Sequence, residues 1–352
     1  MGRRLRGGVH PSSFTHTYDS IISVENLLAA WIEFRRGKRT RADVLEFQSN
    51  LMTHILLLHD DLRSYTYTHG GYEHFVVTDP KRRDIHKANV RDRLVHHAIY
   101  RILYSYFDKR FIHDSYSCRN NKGTHKAIQQ FQSFARKVSQ NHTRTCYVLK
   151  CDIRKFFASI DHEILIRILE RQIPDQAIIS LLKGVIQSFR STQSGKGLPL
   201  GNLTSQLLVN IYMNEFDQFV KHQLKATYYI RYADDFIFLH HERNQLHLIV
   251  QSIELFLYSE LRLRLHPNKV SIETVASGVD FLGWVQFPQH RVLRGVTRRR
   301  VIKRLGNPET REVAKQSYLG LLRQGDPYGL LRSALAKTAG GFLQRETACL
   351  AG

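Results

Sequence analysis

Two rhythms of apolar residues run along this chain, one helical and one with a period of two. The helical rhythm appears first. Ser23 stands where it would cap a helix opening Val24-Glu25-Asn26-Leu27, and Leu51, Ile55, Leu58 and Leu62 continue the spacing, so 23–63 reads as helical. Val95, Ile99, Ile102 and Tyr106 share a second helical face, with Arg91, Arg93, Arg101 and Lys109 mostly off it. Further faces follow at Ala127-Ile128-Phe131-Phe134, at Leu208-Tyr212-Phe216-Phe219 and at Leu246-Ile249-Val250-Ile253-Leu257. Strand-like runs are interleaved. Glu73 to Thr78 is one, stopped by Asp79-Pro80, and Tyr147 to Leu149 opens another. Leu261-Arg262-Leu263-Arg264-Leu265 alternates as a strand and turns out at His266-Pro267-Asn268-Lys269. Val279 to Phe287 reads as a hairpin-forming run. Residues 1–20, basic and rich in Gly, Ser and Thr, read as a mobile arm, and 310–345 as helical. The mixture predicts an α+β fold.

The stretch that organises the rest runs from Tyr228 to Leu239, with Arg231-Tyr232-Ala233-Asp234-Asp235-Phe236 at its centre. Two β-favouring runs flank adjacent carboxylates, which predicts a hairpin with Ala233-Asp234-Asp235 at its tip. Like charges side by side raise the cost of ionising both. A solvated turn relieves this by pointing them apart; a hairpin of apolar strands relieves it better by holding a cation. Oxygen-only donors suit Mg²⁺, which binds one or two carboxylates plus substrate phosphates. Asp152 lies at or near the end of the buried-strand pattern Tyr147-Val148-Leu149-Lys150-Cys151. A carboxylate there is costly unless paired or metal-bound. If the two strands are neighbours, Asp152, Asp234 and Asp235 converge. Three carboxylates are enough for two Mg²⁺ about 3.5–4 Å apart and an in-line phosphoryl displacement. Phe157, five residues after Asp152, either packs in the core beside Phe156 or presses on a sugar 2′-position. Gly195 to Gln206 is a Gly-rich loop entering a helix, in which Gly201 allows close backbone approach. It lacks the Gly-Lys-[Ser/Thr] spacing of a P-loop. Arg119, in the loop Ser115 to Thr124, either holds a phosphate or is solvated.

Charge narrows the partner. The net charge is +21 over 352 residues, with 52 Lys and Arg against 31 Asp and Glu. Such an excess matches a phosphate backbone or an anionic membrane. The longest aliphatic run, Ile55 to Leu58, is far short of a span, and the N-terminus has no apolar signal core, so no membrane association is expected. The four cysteines show no Cys-x-x-Cys pair, which fits a reducing cytoplasm. Scattered histidines, including His96-His97, lack a ligand pattern and read as surface or satisfied residues. The basic run Arg298, Arg299, Arg300, Lys303 and Arg304 then reads as duplex-backbone contact, with Arg91 as a further nucleic-acid contact.

In this order the motifs resemble those of reverse transcriptases. Tyr232-Ala233-Asp234-Asp235 resembles the Tyr-x-Asp-Asp box. Arg83 to His97 and Ser115 to Ala127 look like the two finger motifs, and Asp152 to Ile160 like the first palm motif. Leu198 to Gln206 and Leu263 to Lys269 resemble the fourth and sixth motifs, and Val279 to Phe287 the primer grip. The resemblance covers about 60–300. It implies a right-hand polymerase: fingers within 21–145, a palm at 146–289 with an antiparallel sheet packed on helices, and a small helical thumb with the tail at 290–352. Part of 165–200 belongs to either fingers or palm. It further implies Asp152, Asp234 and Asp235 as catalytic metal ligands, with Ile153 among the metal-binding positions, and two Mg²⁺ as cofactors. Arg83, Arg119, Phe157, Leu200, Gly201, Gln206 and Lys269 are implied in nucleotide binding, with Phe157 excluding ribonucleotides. Most bacterial relatives carry Gln-Gly in the fourth motif and end it in Ser-Pro. Here it reads Leu200-Gly201-Asn202-Leu203-Thr204-Ser205-Gln206, which is similar to reverse transcriptases of diversity-generating retroelements. That resemblance implies cDNA synthesis from a retroelement RNA with errors at template adenines. The implied partners are template RNA, primer, deoxynucleotides and a small basic multimeric accessory protein. The alternatives are a retron-, intron- or phage-defence-type enzyme, and a non-catalytic basic RNA-binding protein.

Overall fold

A computed structural model describes residues 13–78, 82–189, 191 and 193–306. The chain opens with four helices, α1 (Tyr18–Ile22), α2 (Val24–Phe34), α3 (Ala42–Ser49) and α4 (Leu51–Arg63). A ribbon follows, β1 (Tyr72–Val77) and β2 (Arg83–Ala88), then α5 (Val90–Asp108) and α6 (Thr124–Val138). Next come β3 (Tyr147–Cys151), α7 (Phe156–Ser159), α8 (His162–Glu170), α9 (Gln176–Gln187) and α10 (Leu203–Gln218). The hairpin β4 (Tyr229–Tyr232) and β5 (Asp235–His240) leads to α11 (Arg243–Leu261) and β6 (Ser271–Thr274). Three short strands, β7 (Val279–Phe281), β8 (Trp284–Gln286) and β9 (Arg291–Leu293), precede α12 (Gly295–Gly306).

The strands pair antiparallel in three sheets, β1-β2, β4-β5-β3-β6 and β7-β8-β9. The central four-stranded sheet is buried on both faces because its strands are apolar on both sides of the pleat. Leu149, Cys151, Phe236 and Phe238 join the core that holds α10 and α11. Their alternating neighbours Val148, Ile230, Ile237 and Leu239 join a second core with Ile128 and Phe131 of α6 and Trp284 of β8. The result is the expected α+β fold, with antiparallel sheets and α5 packed against α10.

Helix ends follow local chemistry. Ser23 Oγ accepts from Asn26 N at 3.1 Å, the cap expected for α2. Asn89 and Asp175 cap α5 and α9 in the same way. The expected helical span 23–63 is three helices, broken where Gly37 takes φ +69° and again at Asn50. Residues 13–20 are not a loose arm. Phe14 and Tyr18 are buried, and Tyr18 donates from N to Asp175 Oδ2 and from its hydroxyl to the Leu62 carbonyl, each at 2.8 Å. Residues 83–88, where apolar spacing predicts no strand, form β2 because each pairs with a residue of β1.

The alternating run 261–265 is not a strand: Leu261 closes α11 and Arg262 turns with φ +49°. Leu263 and Leu265 are still buried, so the alternation reports a docked loop, while β6 occupies the sheet edge beside β3. The helical reading of 310–345 lies outside the described residues. Among the described residues, no helix is long and apolar enough to cross a membrane.

Candidate active site

The hairpin turn is tight. Tyr232 pairs with Asp235, leaving Ala233 and Asp234 as a two-residue loop, and Ala233 sits at φ +56°. A left-handed alanine costs about 1–2 kcal/mol, so surrounding contacts must hold it. Strand β3 pairs with β5 in a register that sets Cys151 against Phe236. One step further, Asp152 comes opposite Asp235. The three expected carboxylates therefore gather at one end of the sheet, two by adjacency in sequence and the third only by strand pairing.

The electrostatics follow. Burial first, then the charges of Asp234 and Asp152, push Asp235 up to about 6, while Lys150 and Lys269 oppose the rise. Lys269 donates from Nζ to Asp152 Oδ2 at 2.8 Å, and His266 N donates to the Asp152 carbonyl at 2.8 Å. The loop 262–269 thus delivers a cation to the site. Ile153 is buried and bridges to Leu265. Among the described residues, no three Asp, Glu, His or Cys side chains close around a point as a preformed metal cage would. The donor set nonetheless fits Mg²⁺. It is all oxygen and carries like-charge repulsion that Lys150 and Lys269 offset only in part, as suits an ion that completes its shell with water and substrate phosphate.

The Gly-rich loop is docked by its backbone on the segment that follows β3. Gly197 N donates to the Ile160 carbonyl and Leu198 N to the Phe157 carbonyl, each at 2.8 Å. Phe157 is partly buried, its ring 5.5 Å from that of Phe156. The loop also grips β2. His86 N donates to the Leu200 carbonyl at 3.1 Å, and Asn202 Nδ2 donates to the His86 carbonyl at 3.0 Å. Gly201 has φ +107°, and a side chain there would meet Ile85 at 3.0 Å, so close approach requires glycine. Gln206 is half-buried in the first turn of α10, which starts at Leu203. Arg83 opens β2 on its exposed side, three residues before the His86 clasp.

Two basic residues expected at ligands are engaged internally. Arg119 donates to Asp108 Oδ1 and the Ile112 carbonyl at 2.7 Å and to the Ser115 and Asp108 carbonyls at 3.0 Å. Its side chain is only 6% exposed, so it fastens its own loop and does not face a phosphate. Arg91 bonds Asp61 at 2.6 Å and covers the Tyr67 ring. In α12, Val301 and Leu305 point inward while Arg298, Arg299, Lys303 and Arg304 are exposed and Arg300 is half-buried, as an amphipathic basic helix requires. His96, read as satisfied, is buried with Nε2 3.1 Å from His69 Nε2 but with no partner for Nδ1.

Sequence reasoning gave no role to Arg231, a cation in the middle of β4 that is wholly buried and ion-paired with Asp217 of α10 at 2.6 Å. The signal was present: an arginine inside an otherwise aromatic and aliphatic strand must be paired.

The family described as Reverse transcriptase (RNA-dependent DNA polymerase) matches residues 78–286. Protein YkfC of Escherichia coli is 26% identical over 288 residues, covering 70% of this chain and 73% of that protein. Group II intron-encoded protein LtrA of Lactococcus lactis is 24% identical, covering 58% of this chain and 44% of LtrA. Retron Ec83 reverse transcriptase of Escherichia coli is 29% identical over 174 residues, covering 47% of this chain and 55% of that enzyme. This chain thus spans less than half of the intron-encoded relative it matches. The family match covers more than half of the sequence, from β2 through the paired carboxylates to β8, and the chain belongs to the reverse transcriptase family of RNA-dependent DNA polymerases.

Proposed function

We propose that the protein copies a retroelement RNA into DNA, with Asp152, Asp234 and Asp235 holding two Mg²⁺ at the growing primer end. The observation that carries this is the β3-β5 register, which opposes Asp152 and Asp235 beside Asp234 and leaves their mutual repulsion to be relieved by a cation. The metals would supply Lewis-acid activation of the 3′-hydroxyl and charge neutralisation at the triphosphate. This chain's own residues do the positioning. Arg83, exposed on the finger ribbon, meets the triphosphate. Lys269, paired with Asp152, would offer its ammonium to the nucleotide where a metal takes its place on the carboxylate. Phe157 closes the sugar side, and Leu200, Gly201 and Gln206 line the nascent base pair. Exposed Arg298, Arg299, Lys303 and Arg304 carry the duplex backbone, with Arg300 beside them on the same helix. Arg119 and Arg91 are left out of this set because their guanidinium groups are committed to Asp108 and Asp61.

Within the family we assign the chain to the enzymes of diversity-generating retroelements. Leu200 offers no side-chain hydrogen bond where most bacterial relatives carry Gln, so pairing geometry at the new base pair is less tightly held. A small basic multimeric partner that helps hold the template RNA goes with this assignment. The second reading is a retron- or intron-type enzyme, favoured by the likeness to Ec83 and LtrA. Sequencing cDNA made on a defined primed RNA with Mg²⁺ and four deoxynucleotides, beside Asp234→Ala, separates them. Errors concentrated at template adenines support the first reading, and faithful cDNA the second. No product even with the native RNA and accessory protein present would overturn both in favour of a binding role.

A further inference from the structure

The turn that carries Asp234 and Asp235 is held from behind by one buried cation. Arg231 Nη1 donates to the Ala233 carbonyl at 3.2 Å and to Asn210 Oδ1 at 3.1 Å. Its Nη2 reaches Asp217 Oδ2 at 2.6 Å and Ser115 Oγ at 3.0 Å, and Nε lies 2.8 Å from Asp217 Oδ1. Tyr229 donates its hydroxyl to the same Asp217 at 2.8 Å. The main chain of Arg231 is gripped too: its N donates to the Asp114 carbonyl at 2.9 Å, and its carbonyl accepts from Tyr116 N at 3.0 Å. One guanidinium thus ties together the left-handed turn, the helix that begins at the Gly-rich loop, and the finger loop at Ser115. Both side chains of the ion pair are 0% exposed, so neither is available to substrate.

Burying such a pair stabilises a fold weakly at best compared with apolar residues of the same shape. Its geometry serves position instead. The Ala233 carbonyl belongs to the turn itself, so a group that holds it restrains the turn without touching the carboxylates. We propose that Arg231, fixed by Asp217, is a positioning residue that sets the aim of Asp234 and Asp235 toward the metal ions. This rests on the polymerase reading above.

The test is Arg231→Lys in the full chain. Lysine keeps the charge opposite Asp217, but its single ammonium cannot serve Asp217, Asn210, Ser115 and the Ala233 carbonyl together. Expected are a fall in the single-nucleotide addition rate of about tenfold or more, a several-fold rise in the Mg²⁺ concentration for half-maximal rate, and an unchanged affinity for template–primer. Mn²⁺ binding followed by electron paramagnetic resonance, without nucleotide, should weaken in parallel. This readout stands even if no polymerase assay succeeds, so failure of the positioning role is distinguishable from failure of the polymerase reading. If Arg231→Lys does not fold, Asn210→Ala, which loosens the guanidinium without removing charge, takes its place with a smaller shift of the same sign. A folded Arg231→Lys, or in its place Asn210→Ala, with wild-type Mn²⁺ affinity and wild-type Mg²⁺ dependence would overturn the proposal.

Discussion

Two ion pairs flank the paired carboxylates, and their difference separates scaffold from working parts. Arg231–Asp217 and Lys269–Asp152 have similar distances, 2.6 and 2.8 Å. The first is sealed, with both side chains at 0% exposure, and shares its charge among neutral partners on three elements. The second is open, with Lys269 at 42% and Asp152 at 13% exposure, and its lysine comes from a loop. In a low-dielectric interior, removing one partner strands a charge with no solvent to receive it. At the open pair, water or another cation replaces the lysine at little cost. A carboxylate that must exchange its counterion during a reaction belongs in the second setting, and the group that must not move belongs in the first.

The largest effect should come from a charge that the open site exists to hold. Asp235→Asn should lower nucleotide addition by about 10³-fold or more, about 4 kcal/mol in the barrier. The same substitution should stabilise the metal-free protein at neutral pH by about 1–3 kcal/mol, because the folded carboxyl is raised to about 6. The sign follows from that rise. The protonated form is favoured in the fold, so its stabilisation is complete below the unfolded value near 4 and is lost as pH climbs through 6. Thermal melts of wild type and Asp235→Asn should diverge between pH 4 and 6 and run parallel above 7. A difference that grows on acidification would break this account.

Asp217→Leu should cost about 3–5 kcal/mol in urea unfolding, since it leaves Arg231 charged and buried. The double replacement Arg231→Leu/Asp217→Leu should recover most of that loss while leaving metal binding impaired. If the double variant is no more stable than the single one, a stranded buried charge is not what destabilises Asp217→Leu.

Lys269→Met should be the mildest. Stability should fall by about 1 kcal/mol, because the lysine is exposed but the Asp152 it leaves behind is buried. Mn²⁺ should bind more tightly, because a competing cation has been removed from Asp152, whereas Arg231→Lys weakens it. Opposite signs at the two pairs sharpen the comparison; equal signs would abolish it.

Much of the fold was legible because burial imposes periodicity. The faces of α5, α6, α10 and α11 and the hairpin at Asp234-Asp235 follow from apolar spacing and turn chemistry alone. The finger strand β2 was not legible, because its Arg-Asp-Ile-His-Lys-Ala sequence has little β-propensity and becomes a strand only by pairing with β1. The run 261–265 misled for the converse reason: its alternation is real, but a loop docked on one side of the sheet has the same pattern of burial as a strand.

The sequence by itself determined the class of chemistry. Two adjacent aspartates between aromatic strands, an aspartate ending an apolar strand and a charge of +21 point to metal-assisted chemistry on nucleic acid, because few other arrangements relieve those charges. Only the tertiary structure decided which basic residues face outward and which are spent inside. Arg119, Arg91 and Arg231 look alike as letters, yet each is committed to a carboxylate of the same chain, namely Asp108, Asp61 and Asp217, the last wholly buried. Charge is a property of a residue, but its availability depends on burial and on a partner, and both are set by how the chain packs.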